Sequence, residues 1–175
     1  GSNVDSWDDV DPGFPDQRLN LSGPGTDSGT FDYFTDVIVG EEGASRTDYT
    51  ASEDDNVIVS AVSGDEGGLG YLGLSYFEQN SERLKALEVD GGDGCVAPSV
   101  ETVQSGEYKP LSRPLFVYVN RESLETKLQV DAFLEFILEN QRRLAQGALF
   151  VPLTEEQLSK ARTILEGSTI DAGGG

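Results

Sequence analysis

Apolar residues recur along the chain with two periods, and each period marks an element. Phe31, Phe34, Val37 and Ile38 fall at i, i+3, i+6 and i+7, one face of a helix. Ser28 ahead of them suits an N-cap and Gly40 suits a stop, which predicts a helix over about 29–39. Val57, Ile58, Ala61 and Val62 form a second helical face over about 53–63, with Ser52 as cap, Asp55 at the capping-box position and Gly64 at the end. Gly68-Leu69-Gly70-Tyr71-Leu72-Gly73-Leu74 reads as a buried strand whose glycines permit close backbone approach. Residues 75–80 read as a short helix or turn, 84–89 as a strand, and 90–113 mostly as loop with a helical piece near 98–104. Leu115-Phe116-Val117-Tyr118-Val119 is dense in β-branched and aromatic residues and predicts a central strand. Further on, Leu128, Ala132, Phe133, Phe136, Ile137 and Leu144 mark one amphipathic helix. Thr154 caps another, with Gln157 at the box position and Leu158, Ala161 and Leu165 on its face. Residues 1–27, rich in Asp, Pro and Gly, read as loop with one short strand at 18–21. Strands alternating with helices imply an α/β fold. Three strands are few for a self-sufficient sheet, so part of a larger protein is expected to be absent.

Composition narrows the function. The 175 residues suffice for one domain or one lobe of a two-lobed protein, and 37% hydrophobic content supports a core. Twelve Lys and Arg stand against 32 Asp and Glu, a net charge of -20. Nucleic acid and anionic membranes both need clustered cations, so neither is expected as a partner. No run approaches the about 20 apolar residues of a membrane span. Such acidity suits high salt, which screens self-repulsion; a salt-loving source and an ordinary acidic secreted protein are the two readings. The chain contains no histidine, which excludes Ser-His-Asp and Cys-His catalysis and a Cys/His zinc cluster within it. Cys95 stands alone and is expected as a small buried apolar residue, the alternative being a bond to a segment outside this chain. No signal-peptide pattern heads the chain; Gly1-Ser2 reads as a cloning scar, so a targeting segment is expected to have been cut away.

The candidate chemistry centres on Gly25-Thr26-Asp27-Ser28-Gly29-Thr30-Phe31, a small-residue loop running into a capped helix. First-turn N–H groups lack partners inside a helix, and the dipole is positive there. Glycine lets an oxyanion approach, and the Ser28 and Thr30 hydroxyls add donors, making an anion cradle that needs no cation. The simpler reading is a helix cap alone. The Gly-Lys-Ser/Thr of a nucleotide-binding loop is absent. Arg46, just after the cradle helix, is the natural counter-charge, because its fork can hold two oxygens of a tetrahedral anion; the alternative is a surface pair with Asp48 or Glu42. Arg113 is a second, lower-ranked candidate. Glu53-Asp54-Asp55-Asn56 does not match a calcium loop and reads as a structural helix start, and Asp8, Asp9 and Asp11 as solvated loop. Phe31, Phe34, Tyr71, Tyr76 and Phe77 read as core.

Longer motifs carry a family resemblance. Gly23-Pro24-Gly25-Thr26-Asp27-Ser28-Gly29-Thr30-Phe31-Asp32-Tyr33-Phe34 resembles the phosphate-binding proteins of ABC-type phosphate importers, nearest the branch of cyanobacteria, other bacteria and archaea. Further matches are Gly40-Glu41-Glu42-Gly43-Ala44-Ser45-Arg46, Asp48-Tyr49-Thr50-Ala51-Ser52-Glu53-Asp54-Asp55-Asn56, Leu69-Gly70-Tyr71, and Tyr108-Lys109-Pro110-Leu111-Ser112-Arg113-Pro114-Leu115-Phe116. The resemblance runs from about 7 to 165. It implies a type II periplasmic-binding-protein fold, in which two α/β lobes close over one phosphate. It implies phosphate binding by Ser28, Gly29 and Thr30, with Thr26 and Asp27 beside them supporting those donors rather than touching the ion. Other branches place an arginine just before the Ser-Gly-Thr; here Pro24 and Gly25 stand there, and Arg46 is the inferred replacement. In the family a first lobe, with its own donors and an acidic side chain that accepts a proton from phosphate, lies upstream, and it is expected to be missing here.

Residues 1–120 are therefore expected to form the second lobe with half of the anion site. Residues 121–175 are expected as a helical segment that normally packs on the first lobe and here is re-packed, swapped with another copy or covered by a partner chain. The implied function is capture of inorganic phosphate, without metal or organic cofactor, for a membrane permease, at a periplasmic or extracellular location. A binder of another tetrahedral oxyanion, a signalling or surface module that kept the lobe, and a phosphatase or phosphoryl-transfer enzyme are the alternatives.

Overall fold

The computed structural model describes residues 4–170, and these fall into two units. The first holds the chain up to Ser99 together with Tyr108–Leu111; the second holds Val100–Glu107 and the chain from Ser112 onward. Residues 112–120, read above with the first segment, thus belong to the second unit.

The first unit is built on three parallel strands. Strand β1 (Asn20–Pro24) is followed by α1 (Gly29–Phe34), which continues into one π-helical turn, Thr35–Val39. Then come β2 (Thr50–Ser52), α2 (Asp55–Ser63), β3 (Gly68–Gly70) and α3 (Leu74–Gln79). The sheet order is β2-β1-β3, with Ser22 opposite Thr50 and Asn20 opposite Gly68, so α1 links the neighbours β1 and β2, and α2 crosses from β2 over β1 to β3. A two-stranded antiparallel hairpin, β4 (Val89–Asp90) and β5 (Cys95–Val96), follows.

Most of these elements follow from their residues, with shifts of register. The expected helix over 29–39 forms, but its last turn is π. Thr35 is 1% exposed, and its hydroxyl lies 2.8 Å from the Phe31 carbonyl and 3.0 Å from the Asp32 carbonyl while accepting from Gly43 N at 2.9 Å. A threonine hydroxyl competing for the preceding turn's carbonyls loosens a helix there. Gly40 closes it at φ 84°, a left-handed position that glycine occupies without strain. Helix α2 starts at Asp55, not 53, because Asp54 is its cap, accepting from Asn56 N at 2.9 Å, and Ser52 belongs to β2. Strand β1 lies later than the 18–21 expected: Arg18 makes only a bridge to Ser6, and the strand runs through Ser22, Gly23 and Pro24. The expected strand over 68–74 stops at Gly70, and that over 84–89 keeps only Val89. Cys95 is exposed rather than buried, because it ends the hairpin turn.

The core of this unit is small. Phe31, Ile58 and Val59 are its buried apolar side chains among the described residues. Helix α2 sits so close to the sheet that a Cβ on Gly70 would meet Ser22 O at 2.8 Å, Val62 Cγ2 at 2.9 Å and Ile58 Cγ2 at 3.3 Å. Glycine at 70 is therefore a packing requirement.

The second unit is helical: α4 (Val100–Ser105), α5 (Arg121–Thr126), α6 (Leu128–Glu139), α7 (Gln141–Gly147) and α8 (Glu155–Ile170). Asn120 caps α5 through Ser123 N, and Leu124 is buried where α5 meets α6 and α8. The capping box at α8 forms as expected: Thr154 N donates to Gln157 Oε1 at 2.9 Å and Gln157 N to Thr154 Oγ1 at 3.2 Å. The single helix expected through Leu144 is instead broken at Asn140, whose side chain donates to Phe136 O, so Leu144 lies in α7. In α6 the half-buried side is Val130, Leu134, Ile137 and Leu138, while Leu128, Phe133 and Phe136 face solvent. Residues 115–119 are not a strand: they enter no ladder among the described residues, and all five side chains are exposed, Phe116 by 69% and Tyr118 by 90%. Their composition is that of a strand, but the described residues of the second unit include no strand to pair with.

Candidate functional site

The site lies in the first unit, at the carboxyl end of its central strand. Strand β1 ends at Pro24, Gly25 turns the chain, and Ser28 N donates to Gly25 O at 3.2 Å. Ser28 is the N-cap of α1, with φ -99° and ψ 125°, and its Oγ accepts from Thr30 N at 3.2 Å. Asp32 N donates to Ser28 O. Ser28, Gly29 and Thr30 thus stand together at the helix start, with Gly29 and Thr30 exposed and Thr26 and Asp27 exposed beside them. In open α/β sheets this end of the strands is where ligands sit.

Tyr49, Tyr71 with Phe34, and Glu53 hold this loop; Tyr71 and Phe34 are expected above as core and Glu53 as a structural helix start. The Tyr49 hydroxyl donates to Pro24 O at 2.9 Å. The Tyr71 ring covers Gly23, where a Cβ would meet its Cε1 at 2.7 Å, and stacks on Phe34 with centroids 3.9 Å apart. The Tyr71 hydroxyl is buried without a hydrogen-bond partner, and burial pushes its phenol up to about 12, the neighbouring Tyr49 adding to the shift. The Glu53 carboxylate lies against Gly25 and accepts from Asp27 N at 3.4 Å. The acid run divides its labour: Glu53 reaches the cradle loop, Asp54 caps α2, and Asp55 accepts from the Gly73 backbone. Burial raises the Asp55 carboxyl despite that bond. Only strand register puts these groups at one end of the sheet, so no local motif reveals them.

Arg46 is not brought to this cradle. Its Nε and one terminal nitrogen fork onto Asp48 at 2.8 and 2.6 Å, the other donates to Val4 O at 2.7 Å, and Asp5 lies 3.5 Å away. With Arg18, Asn20 and Thr50 it lines a polar groove of about 600 Å³. Arg18 and Asn20 lead into β1 and Asp48 leads into β2, so Arg46 sits toward the amino ends of parallel strands whose carboxyl ends carry Ser28. The partner two residues away captures the guanidinium first. Arg113 belongs to the second unit. Among the described residues no group of three or more His, Cys, Asp or Glu side chains is placed to hold a metal ion, and no helix is long and apolar enough to cross a membrane.

The family model described as the PBP superfamily domain matches residues 2–141. The chain belongs to the PBP superfamily. This PBP chain is 50% identical over 150 residues to Protein SphX of Synechocystis sp., covering 86% of the chain and 45% of that protein. It is 36% identical over 147 residues to the phosphate-binding protein PstS of Staphylococcus epidermidis, covering 83% of the chain and 44% of that protein. It spans about half the length of the curated relatives it matches. Its fold matches the crystal structure of a possible phosphate binding protein from Planctomyces limnophilus at a TM-score of 0.86 and 39% identity, covering 95% of the chain and 60% of that structure. PstS from Borrelia burgdorferi, at TM-score 0.57 and 19% identity, shares the fold. The α/β PBP architecture expected from the sequence is therefore the one present.

The Arg46 fork gives the PBP chain an acid-sensitive contact. Asp48 is held at about 2, below the ordinary 3.8, by its hydrogen bond to Arg46. A carboxyl lowered in the folded state adds stability above its unfolded value and loses it as pH falls through the folded one. Melting temperature is therefore expected to fall more steeply between pH 4 and pH 2 in the wild type than in Asp48→Asn, measured by circular dichroism; equal slopes would show that the fork adds nothing.

Proposed function

We propose that this chain holds inorganic phosphate as one lobe of a solute-binding protein that serves an ABC-type permease at the cell exterior or in the periplasm. The observation that carries the reading is the capped turn of Ser28, Gly29 and Thr30 at the carboxyl end of the central parallel strand. Its similarity to phosphate-binding proteins supports it.

The chemistry is capture rather than turnover. Backbone N–H groups and rotating hydroxyls match an ion rich in acceptors. Within the cradle Ser28 Oγ accepts from the Thr30 amide. On binding, that amide and both hydroxyls turn to phosphate oxygens, so the cap bond is exchanged for charge-assisted ones. Thr26 and Asp27 flank the ion without carrying it. Net charge of -20 repels phosphate at long range, so the attraction is local. With no histidine, the chain has no imidazole base for hydrolysis.

The outward-facing ribbon 115–119 and the Leu128, Phe133 and Phe136 side of α6 are read as the surface that the other lobe covers. That lobe supplies the remaining donors, so this chain alone binds weakly. In an NMR titration, inorganic phosphate is expected to shift the amides of Ser28, Gly29 and Thr30 with a Kd on the order of millimolar, about 4 kcal/mol. Unmoved amides at high phosphate would overturn the reading, and sulfate acting equally would favour a general oxyanion binder.

A further inference from the structure

We infer that Glu53 is a positioning residue for the phosphate cradle, a latch that holds the loop of Gly25, Thr26 and Asp27 from the neighbouring strand; this rests on the phosphate reading above.

Three observations converge on it. Strand register pairs Pro24 with Ser52, so the next residues, Gly25 and Glu53, leave the sheet side by side. Gly25 is buried, and a Cβ there would occupy the place of the Glu53 carboxylate, so that group lies directly against the loop and a side chain at 25 would push it away. Asp27 N, one residue before the cap, donates to Glu53 Oε1 at 3.4 Å. The carboxylate's base is itself fixed, because Asp54 N donates to Ser52 Oγ at 3.1 Å and Asp54 caps α2. Its charge also reaches the Tyr49 phenol, raised by burial first and by Glu53 second, whose hydroxyl holds Pro24. Two groups from the segment around β2 thus hold one turn, Tyr49 at Pro24 and Glu53 at Asp27.

An anionic side chain beside an anion's site makes the sign of the test informative. A carboxylate that merely repels phosphate would, when removed, tighten binding. A latch would, when removed, loosen the loop and weaken binding, because donors no longer preorganised must be ordered by the ligand. Glutamine keeps the acceptor oxygen and drops the charge, so it separates the two roles.

The experiment titrates inorganic phosphate against the wild-type chain, Glu53→Ala, Glu53→Gln and Gly25→Ala, following the amides of Ser28, Gly29 and Thr30 by NMR. The latch predicts about tenfold weaker binding in Glu53→Ala and in Gly25→Ala, and binding as tight as wild type or tighter in Glu53→Gln. Without phosphate, the Asp27 amide should move in the alanine variant and stay near its place in the glutamine variant. Glu53 is exposed, and the melting temperature of each variant checks that the fold survives. Wild-type binding with Glu53→Ala equal or tighter would overturn the latch and leave the phosphate reading standing. A wild-type chain that does not respond to phosphate would overturn both.

Discussion

Ile58→Ala is expected to destabilise the first unit by about 3–4 kcal/mol, within the usual 2–5 kcal/mol for emptying a packed isoleucine site. Ile58 is 1% exposed, and it lies where α2 presses on the sheet at Gly70. Its neighbours cannot close the gap easily, because Gly70 has no side chain to swing in. The buried apolar set here is only Phe31, Ile58 and Val59 among the described residues, so one deletion removes a large part of it. For a fold whose whole margin is about 5–15 kcal/mol, such a loss leaves a sizeable unfolded fraction. Urea denaturation followed by fluorescence of Trp7, whose indole N–H donates to Gly67 O within the same unit, would read it directly. Val57→Ala, one position away but 46% exposed, should stay within about 0.5 kcal/mol. Comparable losses at the two positions would mean that α2 does not pack as described.

The second large effect is on ligand. Charge-assisted hydrogen bonds contribute about 1.5–3 kcal/mol each, so losing one hydroxyl donor should cost roughly ten- to a hundredfold in phosphate affinity. Ser28→Ala and Thr30→Val together should therefore take phosphate binding below detection. The single variants are not equivalent. Ser28 Oγ also caps α1, so Ser28→Ala should lower stability by about 1 kcal/mol as well as affinity. Thr30 is exposed and its hydroxyl is not the cap, so Thr30→Val should change affinity and leave the melting temperature in place. Phosphate titration paired with thermal melts separates the two. An unaltered affinity in Thr30→Val would remove its hydroxyl from the site.

Local chemistry made some of this legible and hid the rest. Helix α8 was readable because Thr154 and Gln157 bond each other reciprocally, a signal that depends on four residues only. The start of α1 was readable from a single cap, Ser28, whose Oγ accepts from Thr30 N. Strand β1 was not: Asn-Leu-Ser-Gly-Pro has turn composition, and it is a strand because β2 and β3 pair with it from both sides. Pro24 is tolerated as its last residue, past the end of the β3 pairing. Strand β2, three residues long, has no period to read. Residues 115–119 mislead in the opposite sense, with strand composition and no ladder. At the site, Ser28, Gly29 and Thr30 are neighbours in sequence and were found together. Arg46 was assigned to them as the nearest counter-charge and as the stand-in for an arginine of other branches, and Asp48 lay nearer. Glu53 could not be found without the register of β2.

Wherever no other lobe covers it, the bare stretch from Leu115 to Val119 sets how this chain behaves as a colloid. It carries no charge between Arg113 and Arg121, in a chain that is otherwise strongly acidic. In dilute buffer, mutual repulsion keeps copies tens of ångströms apart, beyond reach of these side chains. At about 1 M salt that field shrinks to roughly 3 Å, and the same ions strengthen apolar attraction if they are salting-out ones. Brine thus relieves the acidic surface and at the same time lets uncovered Phe116 and Tyr118 find each other between molecules.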